Sequence, residues 1–570
     1  MKRTGGQLVV RALEDEGIAL AFGIPGTHNI ELYDALAESE QVEAVLVTDE
    51  QSASFAADAA WRASGRLACV NVVPGAGLTH AMSGIAEAFM DNVPMLVLGC
   101  GIRRDTGRAF QLHDVDQRAM VAPVTKAQFR PERGEDLYGT IRRACRLARE
   151  GAPGPVFVEV PADFYLFQHE EVTGMEPERP RPAGDPAAIA RAAQLLNAAQ
   201  RPLVYAGLGA AAAGPALLQL IEALQAPVAT TFQGKGVVPE SHPLLLWPGF
   251  GAAAPPFARD IARECDATLA IGCRFGEVAT GSYGVQPPGP LVHVDIDPAV
   301  IGRNFAADVA IAGDAALVVP ALLAQVRARP MNAELRARIR EGREAVWREF
   351  SPRPGPGRIS PFALLRALQE TLGPGTVFTA DSGNGTFLAM EMLRLEQPGK
   401  FLAPVDYSCM GYAVPAAIGA KLARPDCPVV ALAGDGAFLM TGLELLTASF
   451  HGVPVAVFVL RDRELAQIAQ FQDIAFHRKT ASVLPDYDLE TLCRALGVEC
   501  LRLESADGLP AVLKRVTEVT SAGRPVVVDT AIDYSQKTWF TRGVVKTTLN
   551  RLPWRDRLRF IARAVARRIL

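Results

Sequence analysis

The feature that most narrows the possible folds is an alternation that occurs three times. Short, near-continuous apolar runs rich in β-branched residues are separated by Ala/Leu-rich stretches of helical spacing. The first part of the chain carries "VEAVLV", "ACVNVV", "PMLVLG" and "PVFVEV". The middle carries "PLVYAG", "ATLAIG" and "LVHVDID", and the last part "GTVFTAD", "PVVALAGDG", "PVAVFVL" and "PVVVDTAID". A strand with one wet face alternates apolar and polar residues, whereas a strand covered on both faces by crossover helices reads as an unbroken apolar run. The pattern therefore predicts parallel sheets flanked by helices and, because it recurs, three doubly wound α/β domains. A chain of 570 residues is too long for one hydrophobic core, in agreement with that number.

Two polar, proline-rich stretches separate the blocks. They are "HEEVTGMEPERPRPAGDP", His169 to Pro186, and "EGREAVWREFSPRPGPGRISP", Glu341 to Pro361. Both read as linkers or wrapping loops. They set the domains at 1–165, 187–330 and 358–535, followed by a tail at 536–570. The tail is basic. Trp554, Leu558, Ile561 and Val565 recur every three or four residues as one apolar helical stripe, and Arg555, Arg559, Arg563, Arg567 and Arg568 supply charge. Such a helix either lies on an anionic membrane surface as a peripheral contact or packs on its own or a neighbouring subunit with its arginines in water.

Composition removes several classes. A formal net charge of -4 gives no reason to expect nucleic acid as a partner. The nine cysteines are scattered without a Cys-x-x-Cys pair, which argues against a zinc site or a disulfide framework and fits a reducing cytoplasm. The opening "MKRTGGQLVVRALEDEG" has acidic residues where a signal peptide would have its apolar core. No apolar run approaches the roughly 20 residues of a membrane span.

The chemistry is concentrated in "LAGDGAFLMTGLELLTASFHGVPVAVFVLRDREL", Leu432 to Leu465. In an open parallel sheet, ligands bind beyond the carboxyl ends of the strands, and Gly434-Asp435-Gly436 sits at such an end. Glycines let backbone N–H groups approach an anion, and a helix N-terminus favours negative charge. Asp435 would repel a phosphate unless a cation lay between, and Mg2+ held by carboxylates and diphosphate oxygens meets that need. Asp462 lies 27 residues on, at the end of the next apolar run. A strand–helix–strand unit of that length sets the two ends side by side. Read alone, Gly-Asp-Gly is equally a plain turn.

With its context, the chain resembles the thiamine diphosphate enzyme family, whose signature is Gly-Asp-Gly, a spacer, then Asn-Asn or Asn-Asp. Here Arg461-Asp462 fills the second element, with Arg461 in place of the asparagine. The resemblance covers everything but the basic tail. It runs through "FGIPGTHNIELYDAL", "VTDEQSASFAADAAWRASGRLACV", "SGIAEAFMDNVPMLVLGC" and "GPVFVEVPAD" in the first domain. It continues in "GKGVVPESHPL" and "LVHVDIDP" in the second and "DYSCMGYAVPAAIGAKLA" in the third. It implies pyrimidine-binding, central and diphosphate-binding domains in that order. It implies that Asp435, Asp462 and the backbone oxygen of Glu464 bind the metal. By the same resemblance Asn384, Gly434, Gly436 and Ala437 sit at the diphosphate, Met410 supports the bent cofactor, and Glu50 hydrogen-bonds its aminopyrimidine ring. Read by spacing alone, Met410 is a core residue and Glu50 a solvated helix residue. The resemblance further implies a homodimer or homotetramer with active sites between subunits.

Within that family the wording is nearest to acetolactate synthase. "RAFQLHDVDQRAMVAPVTKA" resembles its Ala-Phe-Gln-Glu-x-Asp…Pro-x-Thr-Lys segment, which would turn Phe110, Gln111 and Lys126 toward the substrate. The chain departs from the synthase pattern in three places. Phe-Asp-Asp-Arg is "FGEV", so Val278 stands where an arginine would engage the second substrate. Gly-Met-x-x-Gln-Trp is "AQIAQF", with Gln467 and Phe471 on the pocket wall. Ser-Gly-Pro-Gly is "PGAG", Pro74 to Gly77. His28 aligns with an active-site histidine of benzaldehyde lyase, and His80 and His113 lie in loops expected to border the cleft; a structural role for each is the alternative. FAD stays open, because "GLGAAAAG", Gly207 to Gly214, suits either a nucleotide or a strand–helix turn. The expected reaction is decarboxylation of a 2-oxo acid with carboligation to a second carbonyl. The alternatives are cleavage or decarboxylation of another acyl substrate, such as a 2-hydroxyacyl-CoA or a bulky acyloin, and a non-catalytic assembly or membrane role.

Overall fold

The computed structural model describes residues 2–172, 179–350 and 357–569, so the parts of the two separators at 173–178 and 351–356, and the Arg568 side chain, lie outside the described residues. Three six-stranded sheets follow one another. The first is built from Leu20–Gly23, Glu43–Leu46, Cys69–Val72, Met95–Gly101, Ala127–Phe129 and Pro155–Pro161. The third is built from Val377–Ala380, Phe401–Leu402, Val429–Gly434, Ala456–Arg461, Glu499–Leu503 and Val526–Ala531. With strands counted along the chain, both have the order 2-1-3-4-6-5. The central sheet contains Pro202–Ala206, Val228–Thr230, Leu245–Pro248, Ala267–Ile271, Leu291–Asp295 and Val309–Ala312 in the order 3-2-1-4-5-6. Pairing within each sheet is parallel, and the inner strands are buried throughout, as unbroken apolar runs require.

The two separators are more ordered than their composition predicts. Gln168–Glu170 pairs antiparallel with Lys2–Thr4, which ties the start of the chain to the end of the first domain. Glu341 to Phe350, read as linker, is the second half of a helix, Ala333–Phe350. Ile339, Val346 and Phe350 are its buried face, and the Trp347 ring packs tilted against Phe362, centres 5.3 Å apart. The apolar recurrence is sparse among Arg and Glu, so charge hid the period.

The first and third domains are joined through two helices, Glu50–Ser64 and Ala413–Ala423. They approach closely because Gly419 faces backbone: a Cβ there would lie 2.1 Å from the Ala56 carbonyl oxygen. A buried polar network runs beside them. Arg62 pairs with Asp58 at 2.7 Å and Asp91 at 2.9 Å, and the Tyr412 hydroxyl donates to Asp58 at 2.5 Å. Arg274 of the central domain pairs with Asp406 at 2.6 Å, so all three domains meet at this network.

After the last strand, the helix Trp539–Arg551 crosses onto the central domain. Glu391 accepts from its first amides, Trp539 N at 3.0 Å and Phe540 N at 2.7 Å, and Phe540 stacks on Phe387 at 4.5 Å. The helix Trp554–Ile569 follows. Among the described residues no helix is long and apolar enough to cross a membrane.

The contact at Gly419 gives a direct test. Gly419→Ala overpacks the interdomain seam and should cost about 1–3 kcal/mol, lowering the midpoint in differential scanning fluorimetry. Gly139→Ala, in a helix where a Cβ meets open space, should leave it unchanged or raise it slightly. Equal midpoints for the two variants would show that the seam is not tight.

Candidate functional site

Gly434 and Leu460 are register partners on adjacent parallel strands, so Asp435 and Asp462 emerge side by side at the carboxyl end of the third sheet. Asp435 is buried. Its Oδ1 accepts from Gly436 N at 2.9 Å and its Oδ2 from Arg463 N at 2.7 Å. Asp462 Oδ1 accepts from Glu464 N at 3.2 Å. Burial raises the Asp435 carboxyl above the usual carboxylate range. Burial, and then the charge of Asp435, push Asp462 up to about 7. Among the described residues neither carboxylate forms an ion pair with Lys or Arg. The Glu464 side chain is engaged by Lys479 at 2.5 Å.

The Arg461 guanidinium, the departure from the family signature, points elsewhere. It donates to Asp529 at 2.9 Å, Asp486 at 2.8 Å and the Tyr487 carbonyl at 3.1 Å, and its carbon lies 4.9 Å from the centre of the Tyr487 ring. Beside the aspartates, Gly383 (φ 129°) precedes the helix Asn384–Met392. Open space lies where Cβ atoms would be at Gly383 and Gly434. Gly436 and Ala437 are buried in the turn that follows Asp435. A Cβ at Gly385 would lie 3.3 Å from Leu460 and 3.7 Å from the Tyr534 hydroxyl, which places the start of that helix beside the Asp462 strand. The set combines hard oxygen donors, which suit a divalent cation, with open backbone amides, which suit an anion. The site thus fits a diphosphate and its metal.

Three residues absent from the sequence reading frame this end of the site. The Tyr534 hydroxyl is buried, and its ionisation is opposed by burial and then by the charges of Asp462 and Asp435. Asp381, pushed up to about 6 by burial, accepts from Gly411 N at 2.8 Å and Ala413 N at 3.0 Å. Glu87 accepts from Cys409 N at 3.0 Å. Between them they fix the backbone on both sides of Met410, which is half-buried. The sequence signal for Asp381 was its place at the end of the run "GTVFTAD"; Glu87 and Tyr534 offered none.

Glu50 opens its helix and is 7% exposed. A Cβ at Gly77 would lie 2.8 Å from its Oε1. His80 Nδ1 lies 3.6 Å from Glu50 Oε2 and 3.3 Å from Asp49 Oδ2. Two residues earlier, Thr48 N donates to Glu444 of the third domain at 3.0 Å. Among the described residues no hydrogen bond or ion pair joins Glu50 itself to that domain. His28 and His113 meet edge to face at 5.4 Å, and His113 lies 3.8 Å from where a Cβ of Gly75 would be. The Pro74 to Gly77 turn therefore links the histidine pair to Glu50. Burial, then the charge of His113, lower the His28 pKa.

The loop between Gly101 and Gln117 carries Phe110, fully exposed with φ 58°, and Gln111, half-buried. Buried Gln117, unremarked in the sequence, clamps that loop: it accepts from Gly75 N at 3.1 Å and donates to the Cys100 carbonyl at 2.9 Å. Lys126 corrects an expectation. It does not reach the loop but donates to the carbonyls of Leu147 and Glu150, both at 2.6 Å, at the end of the helix Leu137–Arg149. Gln467 and Phe471 are half-buried on the helix Ala466–Phe476, whose Gln470 donates to the Tyr534 carbonyl at 3.1 Å. Val278 packs against the central core. The Gly207 to Gly214 turn is closed by its neighbour: Cβ atoms at Gly207 and Gly209 would lie 2.0 Å from the Gly272 carbonyl oxygen and 2.9 Å from the Gly272 Cα. Gly207 and Gly209 thus let this turn pack closely on the Gly272 backbone, whereas a Cβ at Gly214 would meet open space.

Comparison with known proteins places this geometry. Residues 3–120 match the family described as thiamine pyrophosphate enzyme, N-terminal TPP binding domain. Residues 189–322 match its central domain and 381–530 its C-terminal TPP binding domain. The chain is 33% identical to a probable acetolactate synthase large subunit of Methanocaldococcus jannaschii, over 93% of this chain and 92% of that protein. It is 32% identical to the acetolactate synthase large subunit of Corynebacterium glutamicum, over 94% and 88%. It is 31% identical to the acetolactate synthase isozyme 3 large subunit of Escherichia coli K12, over 94% and 95%.

Burial of the Asp462 carboxyl, with the charge of Asp435 beside it, predicts a pH-dependent effect in chelator-treated protein. A carboxyl raised in the folded state favours folding when protonated and loses that contribution as pH rises through its folded value. Asp462→Asn should therefore raise the melting midpoint progressively from the ordinary carboxylate range to about pH 7, hold the gain above that, and show none near pH 3. A gain that does not vary with pH would contradict the raised carboxyl at Asp462.

Proposed function

The chain belongs to the thiamine pyrophosphate enzyme family, and from that premise we propose that it decarboxylates a 2-oxo acid and joins the acyl unit to a second carbonyl compound, as an acetolactate synthase-like carboligase. The observation that carries this reading is the Asp435–Asp462 pair beside the Asn384 helix start, together with a buried Glu50 at the rim of the first sheet. Relatives named acetolactate synthase match over more than nine-tenths of the chain.

In this reading Asp435, Asp462 and the Glu464 carbonyl hold Mg2+. Asn384 and the backbone of Gly434, Gly436 and Ala437 hold the diphosphate, and Met410 supports the ring system from a backbone fixed by Asp381 and Glu87. Bound thiamine diphosphate supplies a nucleophilic carbon and a sink for the electron pair released with CO2. Glu50 hydrogen-bonds the pyrimidine nitrogen and moves its proton. Burial against Gly77 excludes water from that carboxyl. Gln111 and His28 serve as donors to the substrate oxygen, and the lowered pKa of His28 keeps it neutral near pH 7, able to give or take a proton. Phe110, His113, Gln467 and Phe471 form the walls.

Among the described residues no hydrogen bond or ion pair joins Glu50 to the third domain of its own chain, and the helices after Asp435 expose Leu439, Met440, Leu443, Leu446 and Phe450. An apolar face of that extent beside the site supports pairing with a second copy, with Glu50 of one chain completing the diphosphate site of the other. One observation favours a second reading. Val278 is packed in the core and offers no charge to a carboxylate-bearing acceptor, which fits cleavage of a 2-hydroxyacyl-CoA or bulky acyloin by the same cofactor.

The test is CO2 release and product identity from a panel of 2-oxo acids, pyruvate included, with thiamine diphosphate and Mg2+. The synthase-like reading expects release from pyruvate with acetolactate formed. Release confined to bulkier acids, or cleavage of a hydroxyacyl-CoA alone, would replace it with the second reading. Glu50→Gln should lower kcat by about 10²–10⁴ while calorimetry still reports cofactor binding; full activity in that variant would remove Glu50 from the mechanism.

A further inference from the structure

The terminal helix Trp554–Ile569 presents two different faces. One seats it on the molecule. Arg557, Phe560 and Ala564 are half-buried, and Arg563 and Arg567 lie over the Phe476 ring at 4.8 Å and 5.6 Å from its centre. Arg567 also donates to the Phe476 carbonyl at 3.4 Å, and Arg557 to the Asn550 carbonyl at 2.6 Å. The other face points away from this seat. Trp554, Leu558, Ile561 and Val565 are 66%, 57%, 46% and 50% exposed. At four, seven and eleven residues from Trp554, the last three lie within one narrow stripe. On a helical projection Arg555 and Arg559 flank the stripe on the side away from the seated Arg557.

Charge decides the occupant. The helix sequence holds six arginines and one acidic residue, Asp556, in a chain whose net charge is -4. The rest of the molecule is therefore acidic, and the helix is a local cationic surface with an apolar ridge at its centre. We propose that this helix docks on the surface of an anionic lipid bilayer, inserting Trp554, Leu558, Ile561 and Val565 among the acyl chains while the flanking arginines meet the headgroups. A second copy is the other occupant to consider. It would have to offer an apolar groove to this stripe, whereas the large apolar face at Leu439 to Phe450 is already assigned to pairing. Lipid needs no groove, and arginines flanking an exposed apolar stripe suit a helix lying in the interface plane. The inference rests on the helix alone and is independent of the reaction assigned above.

Full-length protein with cofactor is sedimented with vesicles of phosphatidylcholine alone and of phosphatidylcholine mixed with phosphatidylglycerol. About a tenfold or greater preference for the anionic vesicles is expected, declining with added salt. Leu558→Asp combined with Ile561→Asp should abolish binding. Arg555→Gln combined with Arg559→Gln should weaken it several-fold. All four positions are exposed, so circular dichroism and CO2 release should match the parent in both variants. Intact protein that stays in the supernatant overturns the proposal. So does vesicle binding that the Asp substitutions leave unchanged. Loss of subunits in sedimentation equilibrium on Leu558→Asp and Ile561→Asp, with no vesicle binding by the parent, would reassign the face to a second copy and equally overturn it.

Discussion

The structure depends most on a set of buried carboxylates that hold irregular backbone. Between Val405 and Ala413 the chain has neither a strand partner nor a helix, and buried amides without partners are costly. Here they end on side chains from two domains. Asp91 accepts from Val405 N at 3.3 Å and Asp406 N at 3.1 Å, Glu87 from Cys409 N, and Asp381 from Gly411 N and Ala413 N. Glu87, with Oε1 unpartnered among the described residues, is pushed up to about 8 by burial and then by Asp91. Burying carboxylates is unfavourable by several kcal/mol apiece before compensation. Here Arg62 and Arg274 offset part of it. The result is a loop whose shape is specified from both sides, and Met410 lies within it.

That arrangement also explains why domain order matters. The pyrimidine-side and diphosphate-side sheets share one strand order, 2-1-3-4-6-5, so each presents helix starts and loops at its carboxyl edge. They are locked together through Gly419 and the Asp58–Arg62–Tyr412 network, a seam made from the flank of the Glu50 helix and not from its first residue. The seam therefore fixes the two edges relative to each other without closing either. An edge left open on each chain is what a second copy needs in order to complete a site.

Much of the fold was legible because parallel strands covered on both faces must be continuously apolar, and few other architectures give that pattern three times over. Asp435 and Asp462 were legible for the same reason, since each terminates such a run. What the sequence hid was hidden physically. Ala333–Phe350 buries only three residues strongly, so its period was lost among charges. Lys126 looked like a cleft residue because its neighbours resemble a substrate loop. Its reach is set instead by the end of the helix Leu137–Arg149, where two carbonyls lacked partners. Gln117 and Glu87 act through backbone groups distant in sequence, and a residue that positions another by hydrogen bonding leaves no spacing signal; Asp381 was marked only by its place at the end of an apolar run.

Arg461 shows how a departure from a family signature is read physically. A guanidinium directed at Asp435 and Asp462 would occupy the place of a cation and neutralise the pair. The side chain is instead held by Asp529 and Asp486 and lies over the Tyr487 ring. A neutral asparagine could not satisfy two carboxylates there, so Arg461 and its acidic partners are one substitution in physical terms. The raised carboxyls of Asp435 and Asp462 follow first from burial, which outweighs the partial compensation that Arg461 gives Asp435 and is joined at Asp462 by the charge of Asp435. The departure leaves Asp435 and Asp462 as a buried acidic pair that, among the described residues, forms no ion pair with Lys or Arg, an arrangement that suits an added cation.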